Sequence, residues 1–284
     1  MKYIAKADSG AAVIDKLKKG ADLIEVQLLN KNTNEDFTVY ADKIYSVHSM
    51  LDKKFDRTVN LEDSDDFSLK NLRETFRIAN EIGKKAHRNI GVVIHNGIGL
   101  EKMKKLGVMD YAFSKIERLL REFEYTELFI ENPSMVCESS IYNNDLKSLE
   151  LIEVVKELRR KSTCGDRIYS LLDTVHAMAS SRLLELIYGY KSDKTYEEYF
   201  KNYAKFTKEI HFANIINKGL YNGEHGVAFR DNNGEDDNYF DLTLGLIQKY
   251  MLDVNICLEI REDDYNNAIN FERTLRRMKE AELH

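Results

Sequence analysis

RIYSLLDTVHAMAS, residues Arg167–Ser180, carries the reading of the fold. An apolar run, Ile168–Leu172, leads straight into Asp173, with His176 three residues further on and small residues after it. A buried strand that ends on a carboxylate and an imidazole needs a partner or a metal for each, because unpaired buried polar groups are strongly disfavoured. The same arrangement recurs along the chain. His48 follows IYSV, His95 follows GVVI, Glu131 follows LFI, His211 follows EI and Glu259 follows NICL. With Asp173, these six polar residues are spaced 36 to 48 residues apart, each gap about one strand–helix unit.

Between them the chain alternates strand and helix. Leu23–Leu29 reads as a first strand, with Glu25 and Gln27 on one face by the two-residue period. Lys43–His48, Ile90–His95, Glu127–Glu131, Ile168–Leu172, Glu209–Ala213 and Val254–Ile260 read as further strands, with a doubtful one inside Gly219–Phe229. Ala11–Lys19, Phe67–His87, Tyr111–Phe123, Leu146–Leu158, Ser181–Tyr188, Tyr196–Thr207, Phe240–Tyr250 and Ala268–Glu280 read as helices; in Phe67–His87, for example, Leu69, Leu72, Phe76, Ala79 and Ile82 form one stripe. Strands that are continuously apolar and alternate with helices predict a parallel sheet covered on both faces. Eight such units fill about 250 residues, the size of a closed (β/α)8 barrel. An open doubly wound sheet predicts a glycine-rich phosphate loop after its first strand, where this chain has QLLNKNTNED. The expectation is therefore an α/β TIM barrel, one domain over residues 1–284.

Bulk properties narrow the function. The 284 residues are 43% hydrophobic and 32% charged, with a net charge of −6. Binding through phosphates calls for a basic surface, so this balance argues against an extended nucleic-acid footprint. No run reaches the roughly 18 apolar residues of a membrane span, and the N-terminus lacks a signal-peptide core. Cys137, Cys164 and Cys257 show neither an even count nor CxxC spacing, which suggests reduced thiols and a cytoplasmic location.

In a barrel every strand ends on the same rim, where active sites of this fold lie. His, Asp and Glu make up 55 of 284 residues, about one in five, so six of them at six strand ends is more than exposure explains. Clustered acids repel unless a cation holds them. Mixed imidazole and carboxylate suits Zn²⁺, Mn²⁺ or Fe²⁺ rather than Mg²⁺ or Ca²⁺. Three histidines and three carboxylates exceed one tetrahedral ion, and a bridging carboxylate between two ions accommodates the surplus.

VHSM with VNLEDSDD, VIHNG, FIENPSM, LLDTVHAMAS, IHFAN and CLEIRED resemble the strand ends of the endonuclease IV and xylose isomerase-like TIM-barrel superfamily. The nearer resemblance is to the family 2 apurinic/apyrimidinic endonucleases, and it spans nearly the whole chain. It implies that Glu131, Asp173, His211 and Glu259 hold one divalent ion, Zn²⁺ foremost, and that His48 and His95 hold a second with Glu131 bridging. His176 would belong to a third site. There the family's Asp-x-His pair is replaced by YNGEHG, which leaves Asn222, Glu224 and His225 as altered candidates and two or three ions as the expected complement. The superfamily's sugar and sugar-phosphate isomerases and epimerases use the first four ligands, with Glu131 and Glu259 as catalytic proton carriers; His48 and His95 tilt the resemblance towards hydrolysis. Lys53, Lys54, Arg57 and Arg261 are candidates for substrate binding. RDNNGEDDN and REDD bring seven acids to the rim, so a compact phosphorylated or sugar-like substrate fits the loops at least as well as abasic DNA.

Overall fold

The structure, a computed structural model, describes residues 1–29, 34–51, 59–133, 151–216, 224–229, 234–264 and 267–281. Eight parallel strands close a barrel: β1 (Tyr3–Ala7), β2 (Leu23–Leu29), β3 (Ile44–Leu51), β4 (Ile90–His95), β5 (Thr126–Glu131), β6 (Ile168–Asp173), β7 (Thr207–Phe212) and β10 (Asn255–Leu258). Successive strands are neighbours, and β10 closes the ring between β7 and β1. Around them lie α1 (Gly10–Lys18), α2 (Asp66–Ala86), α3 (Leu100–Lys105), α4 (Met109–Glu122), α5 (Leu151–Lys161), α6 (Thr174–Tyr188), α7 (Ser192–Tyr203), α8 (Gly234–Tyr250) and α9 (Ile269–Ala281).

The barrel is the expected one, but its strand count differs in two places. Tyr3–Ala7 is the first strand, pairing with both β2 and β10, so Leu23–Leu29 is the second. The stretch Gly219–Phe229 adds no barrel strand: β9 (Glu224–Val227) pairs antiparallel with β8 (Asn214–Ile216) in a separate two-stranded sheet. That hairpin rests on the end of β10, where the Arg261 amide donates to the Gly226 carbonyl at 2.7 Å. Gly226 has φ +83°, and a Cβ there would stand 2.9 Å from the Arg261 side chain; only glycine meets both demands without strain. Asp173 also does more than end its strand. It caps α6, accepting from the His176 amide at 2.8 Å, so the helix begins at Thr174 rather than Ser181.

The main core lies between barrel and helices, built from the outward residues of the strands and the apolar stripes of α2, α4, α5 and α9. Inside the barrel, two smaller clusters fill the lower layers: Ile4, Leu23 and Cys257 on one side, Val93, Phe129 and Leu171 on the other. Stepping two residues up each strand from Ile4, Val93, Phe129, Leu171 and Cys257 reaches Lys6, His95, Glu131, Asp173 and Glu259. The polar layer is thus the next layer of the same inward face. Among the described residues, no helix is long and apolar enough to cross a membrane.

Candidate metal centre

Glu131 ends β5 and is 2% exposed. Its Oε2 lies 3.2 Å from His48 Nε2 and 3.5 Å from His95 Nε2, and its Oε1 lies 3.3 Å from His176 Nδ1. Oε2 is also 3.7 Å from His211 Nδ1, which in turn is 3.1 Å from Glu259 Oε2. Besides a fully buried group of Glu25, Glu209, His211 and Cys257, the potential ligand atoms fall into three overlapping groups: His48, His95 and Glu131; Glu131, Asp173 and His176; Asp173, His211 and Glu259. Glu131 joins the first two and Asp173 the last two. Six strands therefore bring His48, His95, Glu131, Asp173, His211 and Glu259 to one mouth, with His176 added from the first turn of α6.

Neighbouring strands set the registers. His95 pairs with Glu131 across β4 and β5, and Asp173 pairs with His211 across β6 and β7. His95 is held further by the segment after β3: its amide donates to the Val59 carbonyl and its carbonyl accepts from the Leu61 amide. Asn132 latches β5 to β6, its Nδ2 donating to the Asp173 carbonyl and its Oδ1 accepting from the Asp173 amide. Nothing in FIENPSM singled out Asn132 beforehand. His48 lies within β3 rather than at its end, since the strand runs on to Leu51.

Tautomers decide what the ring nitrogens offer. A carbonyl oxygen only accepts, so His48 Nδ1, 3.1 Å from the Ser49 carbonyl, donates, and Nε2 is the nitrogen that faces Glu131. His211 Nε2 donates to Glu25 Oε2 at 3.0 Å, which leaves Nδ1 facing Glu259 and Glu131. A nitrogen lone pair and a carboxylate oxygen at 3.1–3.2 Å repel unless a proton or a cation lies between them. Two donors each about 2.1 Å from a tetrahedral ion stand roughly 3.4 Å apart, close to the separations found here. The residues present fit divalent ions of the N/O-binding class.

Charge supports the same fit. Burial pushes His95 down to about 4, so its imidazole is neutral at pH 7, the ligating form. Glu131 is held well below the usual carboxylate range, burial being outweighed by His95, His211, His48 and His176. Burial opposes a charge on His211 as well, but Glu25, Glu131 and Glu259 raise it well above its ordinary value, so a cation entering here competes with a proton.

Two residues beside the centre were absent from the candidate ligands. Lys6, from the unrecognised first strand, places Nζ 2.7 Å from Glu259 Oε1 and 3.2 Å from Glu25 Oε1. Glu25 is fully buried; its place on the face it shares with Gln27 was legible, the inward direction of that face was not. Lower down, Glu209 is also fully buried. Burial and Glu25 push it up to about 8.

A cleft of about 370 Å³ opens beside Glu259, bounded by Lys6, Asp8, Gln27, Gly226 and Arg261 among others. Arg261 lines this cleft. Lys53, Lys54, Arg57 and Asn222 lie outside the described residues, as do the side chains of Glu224 and His225 on β9. Of the acids expected on the rim, Glu262 turns away from it: its carboxylate accepts from the Asn270 and Phe271 amides in the first turn of α9.

No protein-family model matches the chain, and no curated protein does. Solved structures do. A D-tagatose 3-epimerase-like protein superposes with a TM-score of 0.62 at 14% identity, covering 100% of this chain and 98% of that one. The TTHB071 protein from Thermus thermophilus, in a structure soaked with ZnCl2, gives 0.56 at 16% identity over 98% and 99%. A xylose isomerase domain-containing protein from Salmonella typhimurium gives 0.57 at 11% identity over 100% and 97%. The closed eight-stranded (β/α)8 barrel is the fold shared with these structures. Its rim carries Glu, His and Asp groups with the donor types and spacing for divalent ions.

Proposed function

We propose that the protein is a divalent-metal-dependent phosphoester hydrolase acting on a compact phosphorylated or sugar-like substrate. The observation that carries this reading is the position of Glu131 among four imidazoles, with His48, His95 and His211 beside Oε2 and His176 beside Oε1. A carboxylate placed so could be shared by two ions, which would supply Lewis-acid activation of water and neutralisation of charge on phosphoryl oxygens. Glu131, Asp173, His211 and Glu259 would hold one ion, and His48, His95 and Glu131 another, with His176 and Asp173 beside them. Arg261 puts a positive charge on the cleft next to Glu259, which favours an anionic group on the substrate. The cleft's volume suits a molecule of sugar-phosphate size, and exposed Asp263 and Asp264 beside Arg261 disfavour a duplex backbone. The likeness to the ZnCl2-soaked neighbour makes Zn²⁺ the first ion to try.

A second reading is a sugar or sugar-phosphate isomerase or epimerase with one ion and with Glu131 and Glu259 moving the proton. The epimerase-like neighbour favours it. Against it stands the engagement of both glutamates: Glu131 is ringed by imidazoles, and Glu259 Oε1 is tied to Lys6. The deciding experiment assays the Zn²⁺- and Mn²⁺-loaded protein on sugar phosphates for phosphate release, on an abasic-site duplex for nicking, and on ketoses and ketose phosphates for isomerisation. Phosphate release or nicking without isomerisation is expected; isomerisation alone would overturn the hydrolase assignment.

A further inference from the structure

Two oppositely charged side chains flank the ligands gathered around Glu131, Lys6 on β1 and Glu25 on β2. With two of the ligands they form a closed ring. His211 Nε2 donates to Glu25 Oε2 at 3.0 Å; Glu25 Oε1 meets Lys6 Nζ at 3.2 Å; Lys6 Nζ donates to Glu259 Oε1 at 2.7 Å; and Glu259 Oε2 returns to His211 Nδ1 at 3.1 Å. The four residues come from β7, β2, β1 and the end of β10, so the ring spans the seam at which the barrel closes. Glu25 is fully buried and Lys6 only 12% exposed, so neither charge is screened by bulk water.

We propose that Glu25 and Lys6 are a positioning pair for the metal centre: Glu25 holds His211 in the tautomer that turns Nδ1 to the ion, and Lys6 ties Glu259 so that it ligates through Oε2 alone. A ligating histidine needs its far nitrogen fixed by a partner, because a ring free to rotate or to change tautomer presents the wrong atom to the ion. Glu25 meets that need from the barrel interior, where it is fully buried. Lys6 then serves both sides at once, neutralising Glu25 and occupying the second oxygen of Glu259. A carboxylate with one oxygen tied and the other ligating is not free to swing as a proton carrier. The arrangement therefore bears on the choice between hydrolysis and isomerisation as well as on affinity.

The proposal rests on the metal-centre reading, and the test separates the two. Wild type, Glu25→Leu, Glu25→Gln and Lys6→Met full-length chains are titrated with Zn²⁺ against a chromophoric chelator. Each is also loaded with Co²⁺ for its visible spectrum and unfolded thermally without metal. Removing such a partner weakens binding by about 10–100-fold. That loss is expected for one ion in Glu25→Leu, with the ion at His48 and His95 unaffected. Glu25→Gln, whose side-chain carbonyl still accepts from Nε2, should keep affinity within several-fold. Lys6→Met should shift the Co²⁺ spectrum as the second Glu259 oxygen is released. A merely structural role would lower apo stability yet leave both affinities and spectrum as in wild type, and that result overturns the proposal. Should Glu25→Leu fail to fold, Lys6→Met decides it by the same spectrum. A wild-type chain that binds no ion would instead sink the metal-centre reading itself.

Discussion

His48 Nε2 and Glu131 Oε2 face each other across 3.2 Å, brought together from positions 83 residues apart. With Nδ1 engaged by the Ser49 carbonyl, the imidazole turns Nε2 to a carboxylate, a contact that a proton or a cation between them makes favourable. Glu131→Gln keeps the shape and removes the charge shared by two ligand groups. It is expected to lower turnover by roughly 10³-fold or more, several kcal/mol of transition-state stabilisation. It should also lower the bound-metal count, measured by elemental analysis of the same preparation.

Metal uptake should depend on pH through His211. Its proton is held well above the ordinary histidine value by Glu25, Glu131 and Glu259, against burial. An ion must displace that proton, so affinity is expected to rise with pH throughout roughly pH 6–8. Calorimetric titrations in buffers of different ionisation enthalpy should show about one proton released to buffer. A pH-independent affinity with no proton release would contradict the assignment of Nδ1 as the ligand.

Glu209 makes a stability prediction of known sign. Its folded pKa is raised from 4.5 to about 8 by burial and by Glu25. Between those two values the folded state binds more protons than the unfolded state, so stability falls as pH rises from about 5 to 8. Glu209→Gln removes the titrating group and should flatten that fall in the apoprotein, measured as Tm against pH. Wild type and variant with parallel profiles would count against it.

Packing gives a prediction independent of chemistry. A Cβ on Gly83 in α2 would stand 2.5 Å from the Tyr125 carbonyl oxygen and 2.8 Å from that of Arg88. These are backbone atoms in the turns before β5 and β4, and they cannot give way without moving the strands that end in His95 and Glu131. Gly83→Ala is expected to destabilise by about 1–3 kcal/mol, the usual range for overpacking, despite alanine's higher helix propensity. Chemical denaturation measures it.

The rim was legible where a strand is long, apolar and ends on a charged or imidazole group. His95, Glu131 and Asp173 meet that description, and the structure brings them to one mouth with His48, His211 and Glu259. Tyr3–Ala7 escaped because it is five residues long and places Lys6 among apolar neighbours, which breaks the run that marks a buried strand. Its absence shifted the strand count by one, and Gly219–Phe229 was drawn in to make up the eighth. The rim itself was unaffected, since parallel strands end on one side whatever their number. Glu25 and Glu209 were hidden for a different reason: period 2 shows which residues share a face, not which face looks inward.

The most direct measurement is elemental analysis of the purified, unchelated protein. Two or more equivalents of Zn²⁺, Mn²⁺ or Fe²⁺ per chain are expected, removable by chelator with loss of activity and restored on adding the ion back. A chain that carries no divalent metal, and takes up none when it is offered, would contradict the account.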